Sequence, residues 1–179
     1  AYGNTNKFPS KEIDPINHIS PYAMQKYYGE VSCKMFSQVY GVETVSLRYF
    51  NVYGERQNLD GAYALVMCVF AKQRMQGKPL TIRGDGEQRR DFTHVKDIVS
   101  GLVALSKPSG SGDVYQLGTG TNYSINDLAK MFGGNISYLE ARPGEAWETL
   151  ADISKTVKST GWLPSVSLEN YIKDFMTKV

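Results

Sequence analysis

The chain has 179 residues, 41% of them hydrophobic and 21% charged, with a net charge of +2. That composition fits a globular protein of one domain, or parts of two, with a sizeable core. The charge is too small to argue for nucleic acid or a membrane surface, and two cysteines are too few for a disulfide framework. Cys33 and Cys68 sit in apolar, helical-looking stretches without metal-ligand spacing. Reduced, buried thiols in a cytoplasmic protein are the expectation. No apolar run approaches the ~20 residues of a membrane span; the longest is Tyr63 to Ala71. No segment reads as a signal peptide. The chain begins Ala-Tyr-Gly without a Met, which suggests a processed or truncated piece of something longer.

Residues 1–19 are polar and turn-rich, with Phe8-Pro9 and Asp14-Pro15, and read as a loop. Ser20 then supplies an N-cap and Pro21 a first helical residue, so a helix runs to about Tyr40 and stops at Gly41. Its apolar residues Tyr27, Tyr28, Val31, Met35, Phe36 and Val39 recur at three- and four-residue intervals. They predict a stripe packed on a core or a partner. The run 42–51 is β-branched and aromatic, and reads as a strand of a largely buried sheet closing a βαβ unit. Ligands bind beyond the carboxyl ends of such strands, which makes Asn51 a pointer to a site.

A polar loop over 52–61 leads to a helix of about Tyr63 to Gln76. Leu80 to Arg83 is a short strand, Gly84-Asp85-Gly86 a turn, and Arg90 to Val95 another strand. Lys96-Asp97 opens a helix to about Ser106, and residues 108–112 form a flexible loop. Val114 to Leu117 is a strand turned by Gly118-Thr119-Gly120. Ser124 caps a helix of Ile125 to Phe132, and Ile136 to Leu139 is a strand. Arg142 to Glu145 is a loop. Asp152 is placed to cap a helix of Ile153 to Ser159 that ends at Gly161. Leu168 to Lys178 is a last amphipathic helix.

The chemistry-bearing residues start with Tyr22 and Lys26, four apart and so on one helix face. A phenol beside an ammonium favours tyrosinate, a general base for an alcohol proton. With twelve Tyr in the chain, roughly one Tyr-x-x-x-Lys is expected by chance, so the pair needs support from elsewhere. Arg83, Arg90 and Arg142 flank strands or loops, and three converging guanidinium groups would suit a pyrophosphate. Gly118-Thr119-Gly120 lacks the third glycine of a dinucleotide fingerprint and reads as a structural turn. Asp91 and Asp97 are read as holding backbone and capping a helix. His18 and His94 stand far apart with no metal-ligand spacing, so no metal is expected. No nucleophile elbow supports a Ser-His-Asp site.

Five stretches together resemble the extended short-chain dehydrogenase/reductases, in particular the nucleotide-sugar 4-epimerases of the NAD-dependent epimerase/dehydratase family. They are Ser20-Pro21-Tyr22-Ala23-Met24-Gln25-Lys26; Leu47 to Gly54; Gly84-Asp85-Gly86 with Arg90 to Asp97; Tyr115 to Gly120; and Arg142-Pro143-Gly144-Glu145 followed by Leu150 to Lys155. Each is weak alone, but all five stand in the family's order and spacing across the whole chain.

The resemblance implies an α/β fold: the C-terminal part of a Rossmann-like parallel sheet plus a smaller mixed α/β substrate-binding domain. Residues 1–61 would be the remnant of the dinucleotide-binding domain and 62–179 mainly the substrate domain, with some segments returning to the first. It implies Tyr22 as catalytic base and Lys26 as its tuner and a ligand of the nicotinamide ribose, with Tyr49 and Phe50 touching NAD. Asn51 would bind the substrate diphosphate, Leu65 and Val66 the nucleotide, and Thr81 and Arg83 the uracil surroundings. Arg90 and Arg142 would hold phosphates, and Glu145 the nucleotide ribose. Thr149 falls where the family varies the wall of the sugar pocket, and its small size leans towards an acetamido sugar.

The implied reaction inverts C4 of a UDP-hexose or UDP-N-acetylhexosamine through a 4-keto sugar. The implied partners are a UDP-sugar and, in a full-length protein, a second copy docked through the Tyr22 helix. Neither nucleic acid nor membrane is implied. The family's Gly-x-x-Gly-x-x-Gly loop and catalytic Ser/Thr are absent from these residues, so the resemblance implies a C-terminal half, inactive alone. A nucleotide-sugar 4,6-dehydratase fragment shares Tyr-x-x-x-Lys and the fold, and a non-catalytic nucleotide-sugar-binding module is the alternative outside enzymes.

Overall fold

A computed structural model describes residues 2–3, 5–58, 65–107, 110–141 and 144–178. Helix α1 (Pro21–Tyr40) starts as its residues dictate: Ser20 is extended, its Oγ accepts from the Ala23 amide at 3.2 Å, and Pro21 takes the first turn. Gly41, at φ 66°, ends it in the left-handed region. Strand β1 (Thr44–Tyr49) follows at once and pairs in parallel with β6 (Ser111–Leu117), from Val45 opposite Asp113 to Tyr49 opposite Leu117.

The two faces of β1 have different partners, because side chains alternate along a strand. Val45 and Leu47 join Tyr115, Leu117, Ile98, Leu105 and Trp162 in one core, closed by α3 (Val95–Leu105) and α5 (Ser154–Thr160). Thr44 and Arg48 face α1, bonding to the Cys33 carbonyl and the Glu30 carboxylate. A second core is built by α2 (Val66–Met75), β3 (Leu80–Arg83), α4 (Ile125–Phe132) and α6 (Leu168–Met176) around Phe70, Leu80, Ile82, Leu128 and Ile172. Strand β3 pairs in parallel with β8 (Ile136–Leu139).

Between the cores the backbone departs from the sequence reading. Arg90 to Val95 is not one strand. Arg89–Asp91 (β4) runs antiparallel to Asn122–Ser124 (β7), and Thr93–His94 (β5) runs parallel to Val52–Tyr53 (β2). The change of partner falls at Phe92, 3% exposed, after which the Thr93 amide donates to the Asn51 carbonyl at 3.3 Å. The loop expected over 52–61 therefore yields its first two residues to a strand, with Tyr53 2% exposed in the core. Likewise Ser111 and Gly112, expected in a loop, begin β6. The part of the expected α2 around Tyr63 lies outside the described residues.

Two predicted caps differ in detail. Helix α3 is capped by His94, whose Nδ1 accepts from the Lys96 amide at 3.2 Å, not by Asp97. Asp97 instead accepts from the Ser165 and Val166 amides and ties the approach to α6. Asp152 sits one residue before the cap position of α5 and accepts from the Ser154 amide at 2.9 Å.

Among the described residues, the apolar stripe of α1 covers no core. Tyr28, Val31, Met35, Phe36 and Val39 are 39–73% exposed, and Ala23 is the buried residue of the helix. Among the described residues no helix is long and apolar enough to cross a membrane.

Candidate functional site

Asp91 organises the region where the strands change partners. It is fully buried on β4, and its carboxylate accepts from the amides of Thr119, Gly120 and Ala151 at 2.9, 3.1 and 3.1 Å, and from the Thr119 hydroxyl at 2.7 Å. Burial pushes its carboxyl above the ordinary range against the pull of these donors. The Gly118-Thr119-Gly120 turn thus spends its amides on Asp91 and forms no phosphate cradle. A Cβ on Gly118 would lie 2.4 Å from that of Ala151, so glycine is required for the approach.

Two residues past the end of β1, Asn51 has a positive φ of 29°, a conformation Asn tolerates better than most residues. Its Nδ2 donates to the Asp91 carbonyl at 2.7 Å and to Thr149 Oγ1 at 3.1 Å. Thr149 lies beside β4, exchanging backbone hydrogen bonds with Arg89 and Asp91. Asn51 is therefore held from two sides where two clefts meet, and it lines both.

The first cleft, of about 500 Å³, gathers the predicted residues Leu65, Val66, Thr81, Arg83, Arg90 and Glu145 with Asn51. Thr81 is fixed by Gln73, whose side chain bonds its amide and hydroxyl at 3.0 and 2.7 Å. Arg90 donates to the carbonyls of Arg89 and Trp147 at 2.9 and 3.1 Å. Burial lowers its pKa, and the nearby Glu145 works in the other direction. Arg83 bonds the Glu140 carbonyl at 3.4 Å. The cleft joins an apolar wall to two guanidinium groups, the chemistry of a base next to an anion. Arg142, predicted with them, lies outside the described residues.

The second cleft, of about 510 Å³, runs along β1 and is lined by Tyr22, Lys26, Tyr49, Phe50, Asn51 and Thr149 among others. Tyr22 is 66% exposed, and the Lys26 ammonium stands 5.4 Å from the centre of its ring. The sequence reading missed the polar floor of this cleft. Arg48 forks onto Glu30 with bonds of 2.9 and 2.6 Å, and also donates to Tyr2 Oη and the Glu12 carbonyl. Burial pushes the Tyr2 phenol up to about 12, with Arg48 pulling it back. Glu30 was findable: it lies four residues after Lys26, on the same face as Tyr22. Among the described residues no cluster of His, Cys, Asp and Glu is arranged to hold a metal ion.

Comparison with known proteins bears on this geometry. Residues 1–118 match the family described as NAD dependent epimerase/dehydratase. A putative UDP-glucose 4-epimerase of Methanocaldococcus jannaschii is 38% identical over 97% of the chain and 57% of its own length. A UDP-glucuronic acid 4-epimerase from Bacillus cereus, solved with UDP-glucuronic acid and NAD, superposes with a TM-score of 0.88 at 34% identity, over 99% of this chain and 58% of that one. A UDP-N-acetylglucosamine 4-epimerase from Methanobrevibacter ruminantium, in complex with UDP-N-acetylmuramic acid, gives 0.90 at 33% identity, over 98% and 58%. The chain thus spans little more than half the length of these relatives.

Proposed function

Because the chain belongs to the NAD-dependent epimerase/dehydratase family, we propose that it is the substrate-binding and catalytic-helix portion of a nucleotide-sugar 4-epimerase acting on a UDP-hexose or UDP-N-acetylhexosamine. The observation that carries this reading is Asn51, shared by the two clefts. A nucleoside diphosphate laid in the first cleft, with its phosphates at Arg90, delivers its sugar past Asn51 towards Tyr22. Residues 1–61 with α3, β6 and α5 make up the cofactor-side unit, and the core of α2, β3, α4 and α6 is the substrate unit. The two hydrophobic cores support that division except at Tyr53, which packs in the core of α2, β3, α4 and α6.

The residues present fit one end of the cofactor. Tyr22 and Lys26 border the same cleft as Tyr49 and Phe50, which suits the nicotinamide and its ribose. NAD, when bound, supplies a reversible acceptor for the C4 hydride. Tyr22 takes and returns the proton of the 4-hydroxyl group, Lys26 holds the ribose beside it, and Asn51 and Arg90 keep the sugar in reach through its diphosphate. The reaction so proposed passes through a 4-keto sugar. Thr149 is short and tied to Asn51 and to the Asp91 amide, which leaves room for an acetamido group. No Gly-rich phosphate loop occurs in the 179 residues, so we propose that these residues alone do not turn over. The exposed stripe of α1 supports a homodimer through that helix, and the cytoplasm is the location we propose.

Calorimetry with UDP, UDP-N-acetylglucosamine and NAD+ tests the reading. UDP should bind, and Arg90→Met should weaken it by about 10- to 100-fold, as expected for one charged hydrogen bond to phosphate. A chain that binds no UDP refutes the proposal. NAD+ binding without UDP binding would point to a different enzyme class.

A further inference from the structure

Tyr22, Lys26 and Glu30 follow one another at four-residue steps, so they occupy one face of α1, and all three border the cleft beside β1. Glu30 is the member of this row that is tied to another element. Its two carboxylate oxygens accept from Nε and Nη2 of Arg48, and the two side chains are 15% and 11% exposed. Arg48 in turn stands on β1, two residues before Phe50 and three before Asn51. Its other contacts reach back to the start of the chain: the Tyr2 hydroxyl, the Glu12 carbonyl at 3.2 Å, and the Tyr2 ring 4.9 Å away. Burial works against the Arg48 charge, yet Glu30 and Tyr2 hold its pKa above the ordinary value.

We propose that the Glu30–Arg48 fork is a positioning device that fixes the rotation and height of α1 over β1, and so the placement of Tyr22 and Lys26 relative to Asn51. The apolar stripe of α1 is exposed and gives no such hold. Among the described residues, the other hydrogen bond from β1 to the helix is that of the Thr44 hydroxyl to the Cys33 carbonyl at 2.9 Å, and the close approach of α1 to β6 is at Lys34 beside Gly112; both lie in the C-terminal half of the helix, beyond Glu30. A fork of two parallel bonds resists rotation where a single contact does not. Tyr22 lies two turns from Glu30, so a small tilt at the fork becomes a larger shift at the phenol. A misplacement of ~1 Å at a reacting group costs on the order of 10²-fold.

The proposal rests on the nucleotide-sugar reading for what Tyr22 acts on, but not for the geometry. Two measurements on the whole chain separate these, using Arg48→Met, Glu30→Gln and Arg48→Lys, with Leu128→Ala in the other core as a control of general destabilisation. By hydrogen exchange, the amides of residues 24–28 should exchange about tenfold faster in Arg48→Met and Glu30→Gln while the second core keeps its protection. Arg48→Lys, with charge but no fork, should recover part of the loss. Leu128→Ala should loosen the second core and spare residues 24–28. By calorimetry, UDP affinity should stay unchanged in Arg48→Met, while the added affinity of UDP-glucose or UDP-N-acetylglucosamine over UDP falls by about tenfold. A wild type that binds no UDP overturns the nucleotide-sugar reading, and the exchange data still decide the role of the fork. Exchange at 24–28 unchanged in Arg48→Met, or raised as much by Leu128→Ala, overturns the positioning role.

Discussion

Replacing Asp91 by Asn tests whether a buried carboxylate, rather than shape, holds the junction under the two clefts. The substitution keeps the volume and removes one acceptor oxygen. Oδ1 serves the Thr119 amide and hydroxyl, and Oδ2 serves the amides of Gly120 and Ala151. The less costly orientation of the new amide puts its NH2 in place of Oδ1. The Thr119 hydroxyl can then turn wholly to the Thr121 carbonyl, which it already approaches at 2.9 Å. The Thr119 amide is left facing a donor, at a cost of about 1–3 kcal/mol for a buried unsatisfied group. The bonds to Gly120 and Ala151 lose their charge assistance, roughly 1 kcal/mol each. Relief of the buried charge, visible in the raised pKa of Asp91, returns part of this. The net loss is about 2–4 kcal/mol, read as a lower urea midpoint at pH 7 with an unchanged slope. Asp91→Ala should cost more, since three amides lose their acceptor. A loss for Asp91→Asn below ~0.5 kcal/mol would refute the reasoning, because it would mean that the four donors are satisfied without the charge.

The remaining predictions concern His94 and α1. His94 is 1% exposed, packs against Tyr53 and Tyr171, and caps α3 through Nδ1, and burial lowers its pKa. Glu55, Lys96 and Asp97 are charged groups that act on it. The unfolded chain therefore takes up the proton first, so the stability His94 lends is complete above about pH 6.5 and is lost as pH falls. His94→Asn keeps a capping acceptor without the titration. Denaturation at pH 7 and pH 5 should show a smaller drop for the variant than for the wild type, and an equal drop would count against the assignment. Phe36, 47% exposed on the α1 stripe, should matter for association and not for folding. Phe36→Glu should shift sedimentation towards monomer with a change in stability within about 0.5 kcal/mol; an unchanged sedimentation profile would remove α1 from the interface.

How much of this was legible in the sequence depends on how far apart the determining residues lie. The termini of α1 were readable because Ser20, Pro21 and Gly41 act on their own backbone neighbours. The same holds for α4, where Ser124 and Asp127 cap each other. The division of 89–95 into two strands was not readable, since it is decided by the Asn51 carbonyl, about forty residues away and held in a conformation that local propensity does not favour. The stripe of α1 was read correctly as a stripe, but periodicity says only that a face is apolar and not what covers it. Val95 to Leu105 shows the same limit, because Val99, Leu102 and Val103 stay exposed on a helix whose other side is buried.

The site follows the same rule with one difference. Tyr22, Lys26, Asn51, Arg83 and Arg90 could be named from resemblance, but only the fold turns them into two clefts joined at one residue. A Tyr-x-x-x-Lys pair on an isolated helix has no fixed relation to the first cleft, built by β3, β4 and the segment around Glu145. Here the relation is made by three ties of different reach. Asn51 bonds to Asp91 and Thr149, Asp91 gathers the 119–120 and 151 backbone, and Arg48 binds Glu30. The first two hold the substrate side to the end of β1, and the third holds α1 to the same strand two turns below Tyr22. The strand is thus the common reference for Tyr22 and for the first cleft. Charge loss at Arg48 should therefore disturb Tyr22 without the cleft, whereas loss at Asp91 should disturb the cleft first.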